Sequence, residues 1–454
     1  MELKLKPISA TRTRHGLIAP VLSAIFMGAG QFYNRQWLKG MLFALVQIGV
    51  IVTELSTKYI TPLNQELGYN GRSLLEHSIW AVRTLGETPG VRGDHSLFLM
   101  INGYIVFVFY LFILLLYIGN IADARTGGRL RDMGVPLPNF KQNLFELFEK
   151  GFPYLLVAPG TIMLIFFTAM PLIFAISIAF TNYNAFNSPP AKLLDWVGFH
   201  NFLQLYHLKP WLNTLTSVLG WTVFWTIAAT LSTFLLGLVL ALLLNHPKLR
   251  LRRFFRTALI LPWAIPGFIS ILVFRGLFHD QFGHINMLLT SIGFARIPWF
   301  NVAIYARIMV LLINLWLGFP WFMILCSGVI QSIPQDVYEA AEVDGASPMQ
   351  RFWRITLPLV LYSVGPLLIM SFAFNFNNFN AVYLLTGGGP AMLGGRGAGS
   401  TDILVTWVFK LTFGELRRYE YASAISLIIF IFVAAVSIWN FRRTRQFQEE
   451  DMIQ

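Results

Sequence analysis

Long apolar runs, separated by short polar and basic stretches, dominate the chain. Eight are long enough to cross a bilayer as helices, near 37–54, 97–119, 153–182, 213–245, 257–277, 304–330, 356–385 and 420–441. A hydrocarbon core of about 30 Å takes roughly 20 apolar residues as helix. The pattern predicts an all-α integral membrane protein. A ninth apolar stretch, 17–34, contains Gly28, Gly30 and Gln31 and runs into Asn34 and Arg35. It has no small-residue cleavage site behind it and reads as re-entrant or interfacial, not as a leader peptide.

Orientation follows from the basic residues. The arm bearing Lys4, Lys6, Arg12 and Arg14, the run Lys248 to Arg256, and the tail at Arg442, Arg443 and Arg445 are strongly basic. Lys and Arg favour the cytoplasmic flanks of spans, so all three are expected inside, with N and C termini cytoplasmic. Eight crossings satisfy this and nine do not. Loops 55–96, 183–212, 278–303 and 386–419 are then outside, and 120–152, 246–256 and 331–355 inside. The reading divides the chain into an N-terminal membrane region, 1–150, and a core, 151–454.

Composition agrees with a bilayer solvent. The 454 residues are 56% hydrophobic and 12% charged, about half the charge of a soluble domain. A net charge of +12 would suit nucleic acid, but its clustering at span ends argues for membrane flanks and against a nucleic-acid partner. The lone cysteine, Cys326, lies in an apolar run and reads as a small buried hydrophobe. No loop exceeds about 40 residues, too short for an independent soluble core. The Gly-rich run Gly394 to Thr401 lacks the lysine of a phosphate-binding loop and reads as a flexible external loop. Asp123 and Asp132 read as loop charges.

The stretch Tyr338 to Pro358 has legible local physics. Pro334 suits a helix start. Gly345 suits a left-handed helix end, and Ser347 with Gln350 forms a capping box around Pro348. The result is helix, tight turn, helix between two spans. Within the spans no ionisable residue lies near the middle, and Arg275 and Arg307 sit toward outer ends. Proton-driven carriers need such residues. The spans offer amides and rings instead. Ser371, Asn375 and Asn378 fall at helical spacing with Phe374 beside them. Asn314, Leu317, Gly318 and Trp321 do the same one span earlier, and Trp263 with Gly267 in the span before that. Unpaired amides are costly in hydrocarbon. They face other helices as interhelical glue or a polar cavity suited to sugar hydroxyls and pyranose faces.

The helix–turn–helix stretch resembles the Glu-Ala-Ala loop of binding-protein-dependent ABC import permeases: Glu339-Ala340-Ala341, then Gly345, then Ile355-Thr356-Leu357-Pro358. The resemblance, extending over about 150–454, is strongest to maltose and maltodextrin permeases. It rests also on Ile260 to Ile271, Asn314 to Trp321 and Ser371 to Phe379. It implies the type I importer permease fold in a bacterial cell membrane. The coupling loop 331–357, with Glu339, Ala340, Ala341, Asp344 and Gly345, would dock a separate ATPase. The subunit itself would be no enzyme and hold no cofactor, ATP and Mg being used by the ATPase. Implied partners are a second, different permease, two ATPase subunits, an extracytoplasmic sugar-binding protein and an oligosaccharide. Positions matching the family's cargo site are Asn314, Leu317, Gly318, Ser371, Phe374 and Asn375. Three depart: Trp263, Gly267 and Trp321 stand where the family has Tyr, Ser and Tyr. The 183–212 loop lacks the large insert of Gram-negative maltose permeases and is similar in length to Gram-positive ones. Malto-oligosaccharide is the expected cargo. Trehalose, sucrose or cyclodextrin, and a secondary carrier, stay as alternatives. A membrane enzyme using Asp123, Asp132 or Asp344 is disfavoured, since Asp344 belongs to the coupling loop.

Overall fold

The computed structural model describes residues 14–60, 70–90 and 93–443. The basic arm at Lys4, Lys6 and Arg12 and the tail at Arg445 lie outside the described residues. These residues form helices and loops, with one isolated bridge between Ala391 and Gly399. The chain divides into two compact units, residues 1–177 with 186–196, and 178–185 with 197–454. The division at residue 177 falls inside the span expected at 153–182.

The first unit contains α1 (His15–Ile25), α2 (Ala29–Tyr33), α3 (Trp37–Tyr59), α4 (Leu74–Thr84), α5 (Ser96–Asp132), α6 (Phe140–Lys150) and α7 (Phe152–Ile178). The stretch 17–34 folds as α1 and α2, and α1, with 11 residues, is only about 16 Å long. Buried polar groups tie these two short helices to α3 and α5. Ser23 Oγ donates to Gln31 Oε1 at 3.0 Å, and Gln31 Nε2 donates to Asp123 Oδ2 at 3.0 Å. Asn120 Oδ1 accepts from Gly28 N–H at 3.1 Å. Lys39 pairs with Asp123 at 2.7 Å, and Asp132 accepts from the His15 and Gly16 N–H groups. Asp123 and Asp132 are therefore ties along a helix, not loop charges. The phrase Gly28 to Asn34 exists for this packing: a Cβ on Gly28 would meet the Gly40 carbonyl, and Gly28 has φ +89°.

The second unit contains α8 (His200–His207), α9 (Lys209–Asn245), α10 (Arg252–Ala264), α11 (Gly267–Leu277), α12 (His284–Ser291), α13 (Ala303–Ser332), α14 (Gln335–Val343), α15 (Leu357–Phe376), α16 (Phe379–Thr386), α17 (Leu404–Phe413) and α18 (Tyr419–Arg443). Its spine is α9 against α13. Hydrocarbon supplies no hydrophobic drive between helices, so small residues must let backbones approach. Gly237 of α9 does so: a Cβ there would lie 2.6 Å from Phe322 Cβ. Gly318 of α13 does so in return, where a Cβ would lie 2.7 Å from Thr233 Cγ2. Trp225 lies buried, its indole donating to the Asn375 carbonyl at 3.0 Å. Cys326 is fully buried among Phe234, Phe322 and Val360.

Six helices among the described residues are long and apolar enough to cross a membrane, or seven when α10 and α11 count as one. The expected span 257–277 falls on that pair, bent by 90°. Pro262 and Pro266 lack the N–H groups that would continue the ladder. The expected span 356–385 also breaks, at Asn377, and restarts as α16. The expected 420–441 falls on α18, whose apolar stretch Tyr419–Ala435 is shorter than the rest.

The Gly-rich loop is tied down, correcting the expectation of a flexible one. Met392 N–H donates to the Ala398 carbonyl and Ser400 N–H to the Pro390 carbonyl. Beneath them the buried Asp402 carboxylate accepts from Gly399 N–H and Lys410 Nζ, both at 2.6 Å, and from Thr406 Oγ1 at 2.8 Å. Burial pushes the Asp402 carboxyl up, against the pull of the Lys410 ammonium.

Candidate functional site

All ten residues proposed for cargo line one cavity of about 700 Å³ in the second unit, a volume typical of small-ligand pockets. Trp263 comes from the end of α10 and Gly267 from the start of α11. Asn314, Leu317, Gly318 and Trp321 come from α13. Ser371, Phe374 and Asn375 come from α15, and Asn378 from the break before α16. The 90° bend places irregular backbone at Ile265 and Pro266 on the cavity wall. Such backbone is tolerated at membrane depth where it lines a cavity.

The amides form a chain. Asn375 Nδ2 donates to Thr230 Oγ1 at 3.0 Å, and Asn378 Nδ2 donates to Asn314 Oδ1 at 3.2 Å and more weakly to Asn375 Oδ1 at 3.4 Å. Asn378 Oδ1 accepts from Ala381 N–H at 3.2 Å, capping α16. Asn378 thus reaches the cavity as a helix cap and not along the face of α15, as helical spacing predicted. Interhelical glue and cavity lining are the same three side chains. Among the described residues, Asn314 Nδ2, the Ser371 hydroxyl, the Asn380 amide and the indole N–H groups of Trp263 and Trp321 on this wall have no protein partner.

The rings face open space. Trp263 is 52% exposed and Phe374 68%, and the Trp263 and Trp321 rings touch with centroids 5.4 Å apart. A Cβ on Gly267 would meet nothing within 4 Å. Gly267 therefore widens the cavity, whereas Gly318 serves helix packing. Sequence reasoning missed Thr233, Met370 and Asn380 on the same wall; Asn380, two residues past Asn378, was within reach of the same amide signal. No ionisable side chain is among the lining residues. Arg275 and Arg307 turn to the carbonyls of Leu384 and Ser400 instead.

At one end of the unit α14 and the short helix Pro348–Arg351 lie between α13 and α15. Gly345 has φ +78°. The Gly345 N–H donates to the Glu342 carbonyl at 3.0 Å and the Ala346 N–H to the Ala341 carbonyl at 2.9 Å, the paired bonds of a Schellman ending. The Ser347–Gln350 capping box follows. Pro334 is the N-cap, one position before the helix proper. Glu342 pairs with Arg351 at 2.9 Å, and Tyr338 bonds Thr356 at 2.8 Å. These contacts brace the hairpin from within. Glu339, Ala340, Asp344 and Gly345 stay exposed and Ala341 half-buried, and no residue of α14 is buried.

Residues 233–443 match the family described as binding-protein-dependent transport system inner membrane component. Over 439 residues the chain is 42% identical to the galactooligosaccharides transport system permease protein GanP of Bacillus subtilis, covering 96% of this chain and all of that one. It is 38% identical over 440 residues to the maltodextrin transport system permease protein MalC of Streptococcus pneumoniae, covering 95% and 97%. Among solved structures, a bacterial ABC transporter involved in import of the acidic polysaccharide alginate aligns with 67% of this chain and 99% of its own, at 22% identity and a TM-score of 0.55, a likeness of fold.

Proposed function

This chain belongs to the binding-protein-dependent ABC import permeases, a multi-pass membrane subunit and not an enzyme, and from that premise we propose that its cavity passes a neutral oligosaccharide of the maltodextrin kind. The carrying observation is a wall of amides and exposed rings without an ionisable group. An acidic or phosphorylated cargo would call for Arg or Lys there. Asn314 Nδ2, Ser371 and Asn380 are free to meet sugar hydroxyls, and Trp263, Trp321 and Phe374 to stack on pyranose faces.

The basic loops face the cytoplasm, and α1 and α2 dip into the bilayer without crossing it. A second, different permease closes the cavity. An extracytoplasmic binding protein delivers cargo, and two ATPase subunits, which bind the ATP and Mg, grip the α14 hairpin. Glu339 and Asp344 supply charge to that contact, and Ala340, Ala341 and Gly345 let it come close.

A second reading, a galacto-oligosaccharide, is favoured by the 42% identity to GanP. The test is ATPase activity of the assembled transporter in proteoliposomes with its binding protein, given maltotriose, a β-linked galactotriose or an alginate trisaccharide. Stimulation by maltotriose is expected. Stimulation by the galactoside alone would select the second reading, and a response only to the acidic sugar would overturn both.

A further inference from the structure

A second cavity, of about 380 Å³, lies between the end of α9 and the start of α10. It is lined by Leu240, Leu243, Leu244, Leu249, Phe255 and Leu259, with His246 and Lys248 at its rim. We propose that it holds an anionic phospholipid, one acyl chain in the groove and the headgroup on the basic turn above it.

Two independent observations meet here. The first is shape and lining: apart from the rim the walls are aliphatic or aromatic, and Leu243 and Phe255 are 57% and 42% exposed. The second is uncompensated charge. Lys248, Arg250, Arg253 and Arg256 have no carboxylate within ion-pair distance among the described residues, whereas Arg351, Lys410 and Arg418 of the same unit each hold one. No Asp or Glu occurs in the sequence between Asp195 and Asp280. Arg252 alone in the run is spent on structure, donating to the carbonyls of Asn245 and His246 at 3.3 and 3.1 Å. Those bonds close the α9 terminus and fix the turn that carries its neighbours.

Gln331 Nε2 of α13 donates to Asn245 Oδ1 at 2.8 Å, so the basic turn is level with the α13–α14 junction, which the proposed function puts at the cytoplasmic face. Basic side chains at that level attract anionic headgroups. A phosphate diester with a glycerol tail satisfies both halves of the site; a soluble anion would leave the groove empty.

The experiment is native mass spectrometry of the assembled transporter, purified in detergent and offered equal phosphatidylglycerol and phosphatidylcholine. Wild type should retain phosphatidylglycerol preferentially. Lys248→Gln with Arg253→Gln should weaken that preference roughly thirtyfold, equivalent to ~2 kcal/mol, while Lys248→Arg with Arg253→Lys keeps it. Leu243→Trp should lower retention of both lipids. If the neutralised variant does not assemble, raising the salt for wild type from 0.1 to 0.5 M should erase the preference by screening. A preference indifferent to both salt and neutralisation would overturn the proposal. So would loss of the ATPase subunits from the neutralised variant with lipid retention intact, which would assign the run to a protein contact.

Discussion

Gly267 and Gly318 line the same cavity, yet a methyl group meets opposite fates at the two. At Gly318 it would press on the branched Thr233 side chain, and such overpacking costs about 1–3 kcal/mol. Gly318→Ala should therefore lower the thermal unfolding midpoint of the detergent-solubilised protein. Gly267→Ala should leave that midpoint in place and shift only the range of sugars that stimulate ATP hydrolysis. A lower midpoint for Gly267→Ala would remove it from the cavity wall. The sequence made both glycines visible by helical spacing, but spacing does not say which neighbour a face meets. It placed Asn378 on a helix face for the same reason, where Asn378 is a cap bonded to Ala381.

Among the elements, the α14 hairpin was the most legible, because its stop and start signals act through local backbone chemistry. Gly345, in the left-handed region, ends one helix, and Ser347 begins the next. Gly345→Val should cost at least ~1–2 kcal/mol in that conformation and uncouple the transporter, leaving permease insertion intact while cargo-stimulated ATP hydrolysis falls. Gly345→Asn should retain more coupling, since Asn tolerates the conformation. Equal loss in both would move the cause from backbone to side-chain volume. Glu339→Lys should abolish uptake by charge alone. The bent span was less legible. Hydropathy runs unbroken through 257–277, so the apolar pattern concealed the turn, although Pro262, Pro266 and Gly267 announced it. The Gly-rich loop misled for a related reason: its order comes from Asp402, just beyond the run, whose bonds to Gly399 and Lys410 no apolar pattern announces.

For the molecule as a whole, the two units are held by different chemistry. The second relies on close backbone approach between α9 and α13, and the first on buried amides and carboxylates around Asn120 and Asp123. Asn120→Leu would orphan the Gly28 N–H, and an unmade buried hydrogen bond costs about 1–3 kcal/mol. That variant should unfold at lower temperature by circular dichroism, while whatever fraction assembles keeps its normal response to maltotriose. A changed sugar response in that fraction would show the first unit shaping the cavity. The first unit's architecture was hard to read because its polar partners lie about 90 residues apart in sequence, Gln31 with Asn120 and Asp123.

Cys326, sealed in the packing of α13, makes the chain a naturally silent background for thiol labelling. It is the only cysteine and is 0% exposed. A maleimide dye should leave the folded wild type unmodified and react after denaturation in sodium dodecyl sulfate. A cysteine placed at Val343 on the coupling hairpin, 88% exposed, would then carry the only dye. Distance changes at that hairpin during turnover become measurable without first removing a native thiol from the core.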